Sequence, residues 1–384
     1  RFLKNILWFR RFLKENKIQI IHTHSRAAAK LAYWARLGLP IGMVSTIHGR
    51  QHPSFSKKLH NQYGEFLISV CENVKQQLIQ DFSYSENKIK VVRNPIDENR
   101  FHFINKKFSD LKNIKIAIIG RTTGPKKERT EQVIKALPPH YSVTLIGGKT
   151  SDLHLDPKDL VRVSEKSEKE VPQLSSAIYG EYDLVIGSGR VCMEALTTGI
   201  PTIAFGEAKY VGLITVENYQ QAIESNFGDI DPVQLLPKIN IEQFQLDVKN
   251  FYLTDSAALS QKAIQDFSLN VISKKVHRLY ESAYFIRQFP KWIPILMYHK
   301  IPDSAIASTH RTFVTKNNFK KHLQFFKRSG FTTLTFGDLE KYRTNLLPLQ
   351  SFPKKPLILT FDDGYKDNLQ NASELLNKYN FRAQ

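Results

Sequence analysis

The sequence predicts an α/β protein with two doubly wound halves followed by the opening of a further α/β domain. Three observations lead there. Short aliphatic and β-branched runs alternate with amphipathic helical stretches along most of the 384 residues. A polar stretch, "NKKFSDLKN" at 105–113, interrupts the alternation, which then restarts. Past "RQFPKW" the texture changes again and new strand and helix patterns begin. A chain of this length exceeds one hydrophobic core, so two or three domains are expected.

Each element follows from its own pattern. Residues 1–17, "RFLKNILWFRRFLKENK", place apolar residues at helical spacing with lysines and arginines between them. That pattern suits an amphipathic helix covering a sheet or, alternatively, a basic helix resting on a membrane interface. "IQIIHTHS" reads as a buried strand with a polar end, "RAAAKLAYWARLG" as a helix closed by Gly38, and "IGMVSTIHG" as the next strand. "EFLISVCENVKQQLIQDF" runs from strand into helix, and "IKVVRNPID" is another strand. After the linker, "IKIAIIGR", "YSVTLIGG", "YDLVIGSGR" and "IPTIAFGE" read as strands, with "TEQVIKAL" and "VCMEALTTG" as helices between them. A long helical stretch is expected at about 256–288. In the last part "IPILMYHKI", "FTTLTF" and "PLILTFDDG" read as strands, "FKKHLQFFKRSG" as a helix capped by Gly330, and "NASELLNKYN" as a helix.

Charge and cysteine content narrow the partners. There are 55 Lys and Arg against 36 Asp and Glu, a formal charge of +19. Such a balance favours an anionic partner: a nucleotide, a phospholipid surface or a nucleic acid. The ordered α/β pattern lacks a recognisable nucleic-acid module, so an anionic membrane surface or lipid-linked substrate is preferred and no nucleic acid is expected. Cys71 and Cys192 are far apart, form no Cys-x-x-Cys pair and fit a reducing compartment as small core residues. No uninterrupted apolar run approaches a membrane span. The sequence opens at Arg1 rather than Met, so the absence of a leader carries no weight.

In open α/β sheets, ligands gather at the carboxyl ends of the strands. His22 and His24 follow one strand, His48 another and Arg121 a third. Gly187, Ser188, Gly189 and Arg190 form the turn into the helix bearing Glu194. Glycines let a backbone approach a phosphate closely, and free N–H groups at a helix start favour negative charge. Arg121 and Lys126, in "GRTTGPKK", add two cations suited to a diphosphate. Glu194 suits ribose hydroxyls. Alone, "GSGR" equally describes a tight turn without a ligand. His22, His24 and His48 could hold a metal, or serve sugar hydroxyls and phosphates.

The combination is more specific. "IIHTHSRAAAKLAYWARLGLPIGMVSTIHGR", "ISVCENVKQQLI", "IKVVRNPIDENRF", "IGRTTGPKK" and "DLVIGSGRVCMEALTTGIPTIAFGE" resemble retaining GT-B glycosyltransferases, the family 4-like enzymes of lipopolysaccharide-core type. The resemblance covers residues 18–284. It implies two Rossmann-like domains and a UDP- or GDP-linked sugar donor. By position it assigns Arg121 and Lys126 to the donor diphosphate, Glu194 to the ribose and His48 to the neighbourhood of the reacting sugar. One departure stands out. The family's earlier glutamate falls eight positions before the second, where this chain has Ile186. The expected contact to donor-sugar hydroxyls is therefore missing; Glu207 in "FGEAKYVG" either compensates or is a solvated loop residue.

A second constellation lies near the end. "LILTFDDGYKDN" delivers Asp362 and Asp363 to a strand tip, and Gly364 lets the chain turn both towards one pocket. Two adjacent carboxylates ionise together most readily beside a cation. A divalent metal would take one as ligand and leave the other as a base on metal-activated water. With "IPILMYHKI" and "FKKHLQFFKRSGFTTLT", this string resembles the opening of a polysaccharide deacetylase, or NodB-type, domain. The resemblance implies the start of a (β/α) barrel, Asp362 as catalytic base, and Asp363 as ligand to Zn2+ or a similar ion. His299 belongs to the same pattern as a buried or rim residue rather than a ligand. The resembling family takes two further ligands from a histidine motif well after "FDDG", so residues 1–384 alone are expected to bind metal poorly.

The expected domains are 1–108, an incomplete acceptor-side Rossmann-like domain; 109–288, a nucleotide-sugar-binding domain; and 289–384, the N-terminal part of a deacetylase domain. The expected function is bifunctional: glycosyl transfer to a glycan acceptor, expected to be lipid-linked, in bacterial envelope polysaccharide or lipopolysaccharide synthesis, plus metal-dependent sugar deacetylation. The expected location is cytoplasmic, peripheral at the inner membrane. The alternatives are a nucleotide-sugar epimerase and a non-catalytic carbohydrate-binding scaffold.

Overall fold

A computed structural model describes residues 2–52, 62–108, 111–167, 170–171, 173–231, 239–288, 292–307, 312–344, 347 and 351–384. Positions 109–110 of the expected linker, and position 289 at the expected third domain's start, lie outside them. The chain divides into two compact units. One comprises Arg1–Lys17, Ile21–Leu37 and Met43–Tyr280; the other comprises Ile18–Ile20, Gly38–Gly42 and Glu281–Gln384.

The first sheet has β1 (Ile20–Thr23), β2 (Gly42–Ile47), β3 (Phe66–Ser69) and β4 (Ile89–Val91) in sequential order. β3 pairs with both β2 and β4 in parallel. Every residue of β2 is buried, as expected for a strand covered on both faces. Ser25 caps the helix Arg26–Ala35: its hydroxyl accepts from the Ala28 N–H at 3.3 Å, satisfying one orphan donor of the first turn. That helix buries Ala29, Ala32 and Ala35 and stops short of Gly38, which occupies a left-handed turn beyond it. The helix Phe2–Glu15 buries Leu13 but leaves Leu3 and Trp8 about two-thirds exposed.

The second sheet runs β10-β9-β8-β5-β6-β7, with β5 (Lys115–Ile119), β6 (Ser142–Ile146), β7 (Val163–Lys166), β8 (Leu184–Gly187), β9 (Thr202–Phe205) and β10 (Tyr210–Leu213). β10 is antiparallel to β9, and the other pairs are parallel. Its core interleaves Ile116, Ile118, Leu184, Ile186 and Phe205 with helix residues such as Val133 and Ile134. Ile186, at the position where the resembling family has a glutamate, is therefore a core residue.

Two helix boundaries depart from the sequence pattern. The helix Pro125–Ala136 starts five residues before "TEQVIKAL", because Pro125 sits at its first position, where a missing N–H costs nothing. Lys126 and Arg129 thereby become helical. The stretch at 256–288 is two helices, Ser256–Phe267 and Leu269–Gln288. The backbone between them pairs with Ile96: Ile96 N–H donates to Phe267 O at 2.7 Å, and Leu269 N–H donates to Ile96 O at 2.9 Å.

The second unit contains a parallel sheet, β11 (Ile295–Tyr298), β13 (Pro356–Phe361) and β12 (Thr332–Thr333), with β13 central. The expected strand "FTTLTF" shrinks to Thr332–Thr333 because Thr335 caps the helix Phe336–Arg343 in a capping box with Asp338. The helix Lys316–Arg328 turns Phe319, Leu323 and Phe326 into a core shared with Leu357, Leu359 and Phe381. The last expected helix opens with a π turn, Asn368–Ala372, before the α-helix Ser373–Tyr379.

Candidate functional site

The strand tips of the second sheet build one wall of a cavity of about 560 Å³ in the first unit. Arg121 and Lys126 line it, as do Glu207, Asp229 and Asp231. His48, Gly49, Arg50 and His52, which follow β2, line it from the first sheet's side. Two hydrogen bonds join the halves next to the cavity: Arg50 Nη1 donates to Asp231 O at 2.9 Å, and Asn73 Nδ2 donates to Ile230 O at 2.8 Å.

Lys126 is the centre of the charged wall. Its ammonium lies 3.8 Å from Glu207, 3.6 Å from Asp229 and 3.2 Å from the Ser188 hydroxyl, to which it donates. Arg121 is more exposed and reaches Glu207 at 3.7 Å. Glu207 therefore faces the site, a point on which the sequence pattern was neutral. The carboxylates are held by close backbone packing. A Cβ on Gly206 would fall 1.9 Å from the Gly228 carbonyl carbon, so only two glycines allow the loops carrying Glu207 and Asp229 to cross.

The turn between β8 and the helix Arg190–Thr198 is tightly packed. Gly189 has φ +54°, and a Cβ there would meet Asp229 Oδ2 at 2.7 Å. A Cβ on Gly187 would meet the Val191 side chain at 2.6 Å. Arg190 opens the helix and folds back on Glu194, Nε to Oε1 at 2.8 Å. Glu194 is buried and also accepts from the Tyr179 hydroxyl at 2.9 Å; burial raises its pKa. Glu194 is not among the residues lining the large cavity. A smaller cavity of about 300 Å³ is lined by Ile119, Gly120, Arg121, Ile146, Gly147 and Val171, among others.

Sequence reasoning alone misses Arg129 and Asp229. Arg129 is 3% exposed and lies beneath the strand tips, donating to Phe205 O and, at 3.3 Å, to the Ser188 hydroxyl. A signal for it exists: it lies one turn after Lys126 on the same helix face. Asp229 follows "FG" just as Glu207 does, but no motif marks it.

His22, His24 and His48 form a row. His22 shares hydrogen bonds with the Tyr280 hydroxyl at 2.6 Å and the Thr46 hydroxyl at 2.7 Å. His24 Nδ1 and His48 Nε2 share one at 3.0 Å. Burial, then the neighbouring histidines, lower the His22 pKa to about 4; burial, then His24, lower that of His48. Among the described residues, no group of three His, Cys, Asp or Glu is placed to hold a metal ion.

At the β13 tip, Asp362 N–H donates to Tyr298 O at 2.9 Å. Asp363 adopts φ +65°, a strained conformation for a residue with a Cβ, and its carboxylate lies 3.2 Å from His299 Nδ1. Asp367 Oδ2 accepts from Ile301 N–H at 2.9 Å and fixes the loop after β11. Asp363 and His299 are two donors, short of the three protein ligands that a catalytic zinc takes.

Comparisons with known proteins bear on the fold. Residues 1–100 match the family model Glycosyltransferase Family 4. The chain is similar in fold to a glycosyltransferase from Rickettsia africae ESF-5, with TM-score 0.56 and 19% identity, over 73% of this chain and 81% of that one. It is also similar to Anabaena HepE in complex with UDP, with TM-score 0.51 and 17% identity, over 71% and 80%. Over 103 residues it is 36% identical to a Bacillus subtilis (strain 168) protein described as a polysaccharide deacetylase, YxkH, covering 27% of this chain. The chain spans about a third, 34%, of that curated relative. The chain thus shares its fold over about seven-tenths of its length with these two solved structures and is similar over 103 residues to a polysaccharide deacetylase.

Proposed function

We propose that the first unit transfers a sugar from a nucleoside diphosphate to a glycan acceptor, retaining anomeric configuration. The observation that carries this reading is that Arg121, Lys126 and His48 line one cavity, while Lys126 also donates to the Ser188 hydroxyl in the turn after β8, which does not itself line the cavity. In this reading Arg121, Lys126, Arg190 and the amides of Gly187, Ser188 and Gly189 hold the diphosphate. Departure of the sugar leaves charge on the terminal phosphate, and fixed cations and amides stabilise that charge without reorganising. Glu194 takes the ribose, with Arg190 swinging away to admit it. His48 stands beside the reacting sugar, Glu207 and Asp229 offer acceptors for its hydroxyls, and the smaller cavity beside Arg121 receives the base. The fold shared with a UDP complex supports a nucleotide-sugar donor.

The domain division 1–108, 109–288 and 289–384 belongs to the same proposal. In the last part, Asp362 is proposed as the base of a sugar deacetylation and Asp363 as one ligand of its metal, resting on homology over about a hundred residues. The two activities would act in sequence on one envelope glycan. A lipid-linked acceptor and a peripheral position on the cytoplasmic membrane face are further proposals. They are supported by the exposed Leu3, Leu7 and Trp8 beside the lysines and arginines of the helix Phe2–Glu15. Among the described residues, no helix is long and apolar enough to cross a membrane.

The test is release of UDP or GDP from a panel of donor sugars, with and without lipid-linked saccharides. Acceptor-dependent release that falls about 10- to 100-fold in Lys126→Met supports the reading. Conversion of the free donor without an acceptor would favour an epimerase, and nucleotide binding without turnover would favour a scaffold.

A further inference from the structure

Three strand tips meet over one buried side chain. Arg129 projects from the helix Pro125–Ala136 into the space under the loops that follow β5, β8 and β9. A Cβ built on Gly120, next to Arg121, would lie 3.5 Å from Arg129 Nη2. Nη1 donates to the Ser188 hydroxyl at 3.3 Å and to the Phe205 carbonyl, at the end of β9 before Gly206 and Glu207. A single guanidinium thus bonds the turn after β8 and the end of β9 and lies close to the turn after β5.

Its cost is high for a purely structural contact. Among the described residues no carboxylate forms an ion pair with Arg129; its hydrogen bonds go to a carbonyl and a hydroxyl. A desolvated cation without a direct counter-ion is destabilising, and an apolar side chain of similar volume is often the more stable choice at such a place. Burial lowers the pKa of Arg129, with Asp229 and Glu207 acting in the opposite sense from a distance.

The hydrogen-bond inventory of Ser188 gives the arrangement a use. A hydroxyl has two acceptor lone pairs and one donor hydrogen. Lys126 Nζ donates to Ser188 Oγ at 3.2 Å and Arg129 Nη1 at 3.3 Å, so both acceptor positions are occupied by cations. With both acceptor positions taken, the role left to the hydroxyl is that of a donor. It sits at the start of the helix Arg190–Thr198, where free amides add to the same polarity.

We propose that Arg129 is a positioning residue for diphosphate recognition, acting through Ser188: it holds the turn after β8 and, with Lys126, fixes the hydroxyl as a donor to an arriving phosphate oxygen. This role rests on the reading of the cavity as a nucleoside diphosphate site. It makes Arg129 matter for the phosphates and not for the nucleoside.

The experiment is titration of the full chain with UDP and GDP by calorimetry, and with uridine and guanosine by saturation-transfer NMR. It is run on wild type, Arg129→Gln, Arg129→Lys, Ser188→Ala and the Arg129→Gln/Ser188→Ala double variant. The expected result is a loss of about tenfold or more in diphosphate affinity for Arg129→Gln, with nucleoside affinity unchanged. Ser188→Ala in the Arg129→Gln background should add little, because both changes break the same link. Thermal unfolding followed by circular dichroism accompanies each variant. If Arg129→Gln does not fold, Arg129→Lys carries the test: it keeps the charge but loses the fork, and should weaken the diphosphate several-fold. Wild-type binding of diphosphate that is unchanged in the variants, or equal losses for diphosphate and nucleoside, would overturn the role of Arg129 alone. Absence of diphosphate binding to wild type would overturn the underlying reading and this role together.

Discussion

His24 Nδ1 lies 3.0 Å from His48 Nε2, and the His24 ring packs against that of His22 with centroids 4.3 Å apart. The neighbouring His24 ring opposes the protonation of both His22 and His48. One nitrogen of the His24–His48 pair must be the donor, so the tautomers of these two rings are coupled.

His22 gives the first prediction. Its pKa is lowered to about 4 in the folded chain, against about 6.5 when unfolded. Between these values the unfolded state binds the proton and the folded state does not. Stability from this group is therefore unaffected above pH 6.5 and falls as pH drops towards 4. Urea unfolding at pH 5 and pH 7.5 should show a loss of the order of 1–2 kcal/mol attributable to His22, allowing for partial solvent access. In His22→Gln that part of the loss should vanish. An identical pH slope in the variant would show that the ring is not held neutral.

His48 gives the second. If it stands beside the reacting sugar, His48→Ala should lower the rate of nucleotide release by about 100-fold while leaving nucleoside diphosphate affinity within a factor of about two. His24→Ala should raise the His48 pKa, since His24 is one of the causes that lower it. NMR titration of the imidazole resonances reads this directly. A His48 titration unmoved by loss of His24 would contradict the coupling.

Gly206 gives the third. A Cβ there would fall 1.9 Å from the Gly228 backbone, where no side chain can give way. Gly206→Ala should cost about 1–3 kcal/mol in thermal or chemical unfolding and weaken donor-sugar binding by displacing Glu207 and Asp229. Full stability with unchanged binding would mean that the two loops do not cross at Gly206 and Gly228.

Asp363 gives the fourth. Its φ of +65° suits glycine better than a residue with a Cβ. Asp363→Gly should be neutral or stabilising by up to about 1 kcal/mol in unfolding measurements, whereas Asp363→Val should destabilise. A clear loss of stability in Asp363→Gly would mean that the carboxylate is retained for the fold through His299, rather than for chemistry.

Much of the architecture is legible in strand-tip chemistry. The apolar runs ending at His22, His48, Arg121 and Gly187 announce parallel strands whose carboxyl ends meet, because a strand buried on both faces is an unbroken apolar run. The strands Val163–Lys166 and Tyr210–Leu213 escape because edge strands need neither length nor apolar continuity. The break at Ser268 escapes because it is caused by pairing with Ile96, far away in sequence. Arg129 looks like one more charged residue in "PKKERTEQ", and its burial depends on three loops that no local pattern brings together. Glu194 falls on the expected helix, but its engagement with Tyr179 and Arg190 does not follow from spacing alone.

A structure of the chain at saturating UDP or GDP tests the sugar-nucleotide site most directly. Diphosphate density is expected against Lys126 Nζ and the amides of residues 188–190, with Arg121 withdrawn from Glu207 to meet it. Nucleotide bound at another surface, or a cavity left empty at saturation, would contradict that placement and remove the basis for a sugar-transfer function.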